Sequence, residues 1–114
     1  MAILEASKDS IGKLRYSLLP LKAIAAIIGV FEYGAKKYDD FNYMKGTEWS
    51  KYYDALQRHI NAFWGGENFD EESRLYHLAH AGCCVLILLT YQILGIGSDD
   101  RLKIMDERKD DDKK

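Results

Sequence analysis

The sequence predicts an all-α fold: a small bundle of three main helices with a short fourth helix at the C-terminal end. Three observations carry this. Apolar residues recur at helical spacing through three stretches, and no stretch alternates convincingly as a strand, although residues 14–19 can be read as extended. Pro20, the only proline, stands where a first helix would open. Gly65-Gly66, then Gly95 and Gly97, stand where a second and a third would close. With 114 residues, 47% of them apolar, the chain suffices for one domain and has no room for a second. Residues 1–98 read as that helical domain, and residues 99–114 as a short helix followed by a charged, partly disordered tail.

The first helix follows Pro20. Ile24, Ile27, Ile28, Phe31 and Ala35 mark its apolar stripe, and Gly29 and Gly34 weaken it or admit a close neighbour. It runs out at Tyr38-Asp39-Asp40, before an aromatic loop over residues 41–46. A second helix begins near Thr47 or Ser50, either of which can cap it. Tyr52, Leu56, His59, Ile60 and Phe63 form its stripe. Asp70 is expected to cap the third helix, with Glu71 and Glu72 in a first turn where the helix dipole favours acids. That helix extends to about Leu94. Leu102, Ile104 and Met105 make the short amphipathic piece beyond it.

Composition narrows the function classes. A net charge of -2 and a pI near 5.9 argue against a general nucleic-acid binder. Cys83 and Cys84 are adjacent on a helix, where they cannot easily bridge each other, so reduced buried thiols and a cytoplasmic setting are expected. The apolar run from Gly82 to Leu94 is shorter than the roughly 20 residues of a membrane span and reads as a buried helix. Two other helices cannot cover all of it. A homo-oligomer, most simply a two-fold dimer, is therefore expected.

Function is sought in the polar stripe of that greasy helix. His77 and His80 stand three residues apart and share a face, with Ser73 and Cys84 extending the stripe. A polar stripe in apolar surroundings is costly unless something satisfies it. His59, His77 and His80, together with Glu67, Asp70, Glu71 and Glu72, supply ligand types for a metal or a general base. The acids equally serve as a cap and first turn, and each histidine alone reads as a satisfied core residue. Structural zinc would prefer more thiolates. A partial Mg²⁺ site completed by substrate phosphates suits the carboxylates, with Mn²⁺ as a substitute. Lys13, Arg15, Lys36, Lys37 and Arg58 precede the acidic segment and are candidates for holding phosphates. Phe41, Tyr43, Trp49, Tyr52 and Tyr53 offer faces on which a base can stack, although Tyr52 reads better as core. Asn42 can read a base edge or simply form a turn.

Several short blocks in order carry a family resemblance. They are Lys13-Leu-Arg15-Tyr-Ser-Leu-Leu-Pro20, Tyr33-Gly-Ala-Lys-Lys37-Tyr38, Asn42-Tyr43 with Gly46, Tyr53-Asp-Ala-Leu-Gln-Arg58-His59, Trp64-Gly-Gly-Glu67, Asp70-Glu-Glu72-Ser73 and His77-Leu-Ala-His80. Over roughly residues 13–92 the chain resembles the small phage-associated dATP/dGTP diphosphohydrolases, relatives of MazG-like nucleotide pyrophosphohydrolases. The resemblance implies an oligomeric, Mg²⁺-dependent, all-α enzyme of the host cytoplasm that cleaves a purine deoxynucleoside triphosphate to monophosphate and pyrophosphate. On that pattern Glu67, Asp70, Glu72, His77 and His80 serve catalysis, with Glu67, Asp70, His77 and His80 at the metal. Lys13, Arg15, Lys36, Lys37, Asn42, Trp49, Tyr53, Arg58 and His59 serve the nucleotide. One departure stands out: MazG-like enzymes carry Glu-x-x-Asp where this chain reads His77-x-x-His80. A protein that keeps the pocket without those carboxylates would bind and sequester a nucleotide, for example a signalling nucleotide in phage counter-defence, rather than hydrolyse it.

Overall fold

The structure is a computed structural model that describes residues 6–103. It contains three helices, α1 (Leu21–Lys37), α2 (Trp49–Trp64) and α3 (His77–Leu94), and the described residues hold no strand beyond isolated bridges. The all-α expectation is met. α1 starts directly after Pro20 and carries Lys36 and Lys37 in its last turn, beside the negative end of its dipole. The segment expected to be extended instead holds a 3₁₀ turn at Tyr16–Leu18.

Two helix starts differ from expectation. At α2 neither Thr47 nor Ser50 caps; Glu48 occupies the N-cap without a side-chain bond. The orphan donors are satisfied from the far end of the chain. The Trp49 N–H donates to the Ser98 carbonyl at 2.9 Å and the Ser50 N–H to Asp100 Oδ1 at 3.0 Å. At α3 the helix begins at His77, not at Asp70. The Asp70 carboxylate accepts the Ser73 N–H at 2.8 Å, closing a local turn, and Arg74 has φ +65°, which interrupts any right-handed helix there. Asp70, Glu71 and Glu72 therefore belong to a loop that leads into the helix.

α3 is the central element and packs most extensively on α2, less on α1. The buried core joins Val30 of α1 to Ala79, Cys83, Ile87 and Tyr91 of α3. Tyr91 is fully buried. Its hydroxyl donates to the Tyr43 carbonyl at 2.6 Å, and the Tyr52 ring meets it edge-on at 5.7 Å. Gly82 lets α1 approach: a Cβ there would lie 2.7 Å from Ile27 Cδ1. Both cysteines are free and buried, and burial pushes the Cys83 thiol up to about 12 and that of Cys84 up to about 11. Neither is a thiolate near neutral pH.

The other side of α3 is uncovered. Leu78, Val85, Leu86, Leu89 and Ile93 are all exposed. With 18 residues and mean hydropathy 1.6, α3 is long and apolar enough to cross a membrane by length and composition, and 39% of it is buried. Residues 99–103, where the short fourth helix was expected to begin, are not helical. Ile104, Met105 and the charged tail lie outside the described residues.

Candidate functional site

α1 and α2 both rest on α3 and leave a cleft of about 590 Å³ between them. α3 contributes His80, Cys83, Cys84 and Ile87 to its lining, and α2 contributes Tyr52, Ala55 and His59. From α1 come Tyr33 and Lys37, among others, and the loop after α1 adds Tyr38, Phe41, Asn42 and Tyr43. Phe41 sits in the left-handed region at φ +57°, a backbone state uncommon for a bulky residue. The size falls within the range of about 300–1,000 Å³ typical of small-molecule sites.

The three histidines meet beside this cleft although they come from two helices. His59 Nδ1 lies 2.9 Å from His77 Nδ1, and the His59 ring stacks on His80 at 4.5 Å, 8° from parallel. His80 Nε2 is 2.7 Å from the Ser73 hydroxyl, which also accepts the Leu75 N–H. Ser73 thus ties His80 to the turn that holds Asp70. His77 is 5% exposed, and its Nε2 is buried without a hydrogen-bond partner. Glu67 Oε1 comes to within 3.4 Å of that nitrogen. Burial holds His59 below the usual histidine value, and the neighbouring His80 and His77 push the same way. His80 is also lowered, chiefly by burial, against the opposing pull of Asp70. Burial would raise Asp70, but the Ser73 N–H and hydroxyl, with the two histidines, hold it low.

Glu72 is committed elsewhere. Its Oε1 accepts the Tyr33 hydroxyl at 2.8 Å and Lys37 Nζ at 3.0 Å, and those two bonds keep the carboxyl below its ordinary range. The same contacts raise Tyr33 and Lys37. For a metal, the donor set is two imidazoles and a carboxylate: one ligating atom from each of His59, Asp70 and His77 lies within 4.8 Å of the others. Such a set suits a divalent ion.

Of the residues expected from sequence, His59, His80, Lys37 and Asn42 line the cleft, while His77, Asp70 and Glu67 cluster behind it. Lys13, Arg15, Lys36, Tyr53 and Arg58 are exposed and outside its lining. Trp49 is also outside. Its indole N–H donates to the Ile96 carbonyl at 2.8 Å, and Arg101 lies over its ring at 5.0 Å. Tyr33 and Tyr38 enter the cleft without having been singled out. For Tyr33 the signal was its spacing from Lys37: the two are one helical turn apart, so both can reach a single carboxylate.

Residues 5–101 match the family model described as dATP/dGTP diphosphohydrolase, N-terminal. The chain belongs to that family. No curated protein and no solved structure matches it. Much of the cleft and of the cluster behind it comes from blocks that carry the family resemblance: Tyr33–Tyr38, Asn42-Tyr43, His59, Glu67, Asp70–Ser73 and His77–His80.

Proposed function

We propose that the chain is a nucleotide pyrophosphohydrolase that converts a purine deoxynucleoside triphosphate, dATP or dGTP, to its monophosphate and pyrophosphate. One observation carries the reading. A single cleft places aromatic faces and Asn42 at the α1–α2 loop, the Lys37 cation on its α1 wall, and imidazoles where α2 meets α3. Those are the parts needed for a base, a polyphosphate and a reacting water. The family assignment supports the same substrate class.

In this reading Tyr38, Phe41 and Tyr43 take the base and Asn42 addresses its edge. Lys37 meets the phosphates once it leaves Glu72. His80, held neutral by its surroundings, accepts a proton from the attacking water. The water oxygen bonds to phosphorus, the bridging P–O bond breaks, and pyrophosphate leaves. A divalent ion carried in on the triphosphate, Mg²⁺ or Mn²⁺, supplies charge neutralisation for that displacement. The uncovered face of α3 belongs to the same reading: Leu78, Val85, Leu89 and Ile93 recur at sevens and fours and would pair with the same stripe of a second copy.

Incubation with each deoxynucleoside triphosphate and Mg²⁺ or Mn²⁺, followed by a pyrophosphate assay, tests the activity. Release from dATP or dGTP ahead of the pyrimidines is expected, and no pyrophosphate from any of the four overturns it. One observation favours a second reading, sequestration without hydrolysis. Because Glu72 is engaged by Lys37 and Tyr33, only Glu67 and Asp70 among the predicted catalytic carboxylates remain near the histidines. Tight binding with recovery of unchanged nucleotide would establish that reading instead.

A further inference from the structure

We propose that His59, His77 and Asp70 bind a borderline divalent metal ion of the zinc, cobalt or nickel class, with Glu67 orienting His77 from behind. This ion is distinct from one that arrives on a triphosphate.

Two imidazoles face each other at the α2–α3 contact. Two nitrogens at about 2.0–2.1 Å on a tetrahedral ion lie about 3.3 Å from each other, a few tenths of an ångström wider than the gap between the facing rings. His59 Nδ1 and His77 Nδ1 are 2.9 Å apart. The third donor is also close, since His59, His77 and Asp70 each offer a ligating atom within 4.8 Å of the others. Asp70 is pre-positioned: the Ser73 N–H fixes its Oδ2 and leaves the carboxylate little freedom to turn.

The back of the site points the same way. His77 is among the most buried polar groups of the described residues, yet its Nε2 has no hydrogen-bond partner. A ligating histidine ordinarily donates its other ring N–H to a carboxylate, which fixes the tautomer and raises ligand basicity. Glu67 stands 3.4 Å from that nitrogen on a half-exposed side chain, so a small shift completes the bond. With the proton on Nε2, the Nδ1 lone pair of His77 faces the site. His80 is not counted in the ligand set: its Nε2 lies 2.7 Å from the Ser73 hydroxyl, and the ligating atoms that come together belong to His59, His77 and Asp70.

Chemistry selects the ion. Mg²⁺ demands oxygen donors and keeps much of its water, so two imidazoles suit it poorly. Imidazole donors suit zinc and its late first-row neighbours, for which affinity climbs from manganese to copper and falls back at zinc. The site stands apart from the nucleotide reading, because binding of the ion is measured with no nucleotide present.

The test uses chelator-treated full-length protein titrated separately with Zn²⁺, Co²⁺ and Mg²⁺, by calorimetry and by the visible absorption of bound Co²⁺. One Zn²⁺ per chain is expected, bound at least about 100-fold more tightly than Mg²⁺. His59→Gln and Asp70→Asn should each weaken Zn²⁺ by more than about 10-fold, and Glu67→Gln by about 10-fold. His80→Asn, which removes a neighbour of the site and no ligand, should weaken Zn²⁺ less than His59→Gln does. Circular dichroism of each variant separates ligand loss from unfolding, and His59→Gln, a half-buried position, keeps the test open if a His77 variant fails to fold. Binding of Zn²⁺ no tighter than Mg²⁺, or unchanged in His59→Gln and Asp70→Asn, or lost equally in His80→Asn, would overturn the proposal. Each outcome is independent of whether any triphosphate is hydrolysed.

Discussion

His59 and His77 face each other across the α2–α3 contact with 2.9 Å between their Nδ1 atoms. At that distance the two nitrogens share a proton or a common ligand; two N–H groups cannot point at one another. His77→Leu keeps the bulk of the side chain, removes both ring nitrogens, and leaves half-buried His59 without its partner. The expected cost is about 1–3 kcal/mol, read as a lower urea midpoint at an unchanged slope. A midpoint equal to that of the parent would show that the contact contributes nothing to stability.

Lys37 and Tyr33 both bond the same oxygen of Glu72 at the edge of the cleft. All three side chains are solvent-accessible, so the bridge should matter little to folding. It should matter to an anion. On the nucleotide reading, Glu72→Gln releases Lys37 and tightens triphosphate binding several-fold, whereas Lys37→Ala weakens it about 10-fold. Both variants should melt where the parent does. A pair of variants with the same affinity as the parent would remove Lys37 from the phosphate site.

Much of the frame was legible because it rests on local signals. Pro20 and the spacing of Ile24, Ile27 and Phe31 located α1, and Gly65-Gly66 located the end of α2. The start of α3 was misplaced because Asp70 is a good cap in isolation. Only the φ of Arg74 and the Ser73 turn show that its carboxylate closes a loop instead. Asp100 was invisible as the partner of the α2 N-terminus, since no pattern links residues fifty positions apart. At the site, His59, His77 and His80 could be named from sequence. Their pairing could not: the i, i+3 rule put His77 beside His80, and helix packing put His59 between them.

Two glycines should differ in what they tolerate. At Gly82 a Cβ would press on the flexible end of Ile27, so Gly82→Ala should be mild. Gly82→Val adds bulk against α1 and should cost about 1–3 kcal/mol. Gly97 combines φ +79° with close approach to the backbone carbonyl of Thr47, which has no side chain to move aside. Gly97→Ala should therefore lower the melting temperature more than Gly82→Ala does. The reverse order would mean that the α1–α3 crossing is tighter than the docking of the C-terminal segment.

That segment also sets an acid dependence. Arg101 holds Asp99 well below the usual carboxylate range, and the Ser50 hydroxyl and N–H hold Asp100 down. Both carboxyls have lower values folded than unfolded. Their stabilisation is thus present above the unfolded value near pH 4 and is lost as pH falls through the folded values. The melting temperature should decline below about pH 4. Asp100→Ala should melt lower at pH 7 and show a shallower decline, because part of what acid removes is already missing. Parallel profiles for parent and variant would place the acid sensitivity elsewhere.

The exposed stripe of α3 points to self-association. Between His77 and Leu94 the helix carries no Asp, Glu, Lys or Arg, and Leu78, Val85, Leu86, Leu89 and Ile93 are open to solvent. Apolar faces of that extent are rarely left bare on soluble monomers. Residues at sevens and fours form a seam that can pack on an identical seam, and a two-fold axis makes the contact self-complementary. Sedimentation equilibrium should return twice the chain mass of 13.1 kDa or a higher multiple. The double variant Leu89→Glu with Ile93→Glu places carboxylates on the seam without touching Val30, Cys83 or Tyr91 of the core. It should sediment as a monomer with unchanged helix content. A parent that is already monomeric at micromolar concentration, in the absence of detergent or lipid, would end the case for self-association through this face.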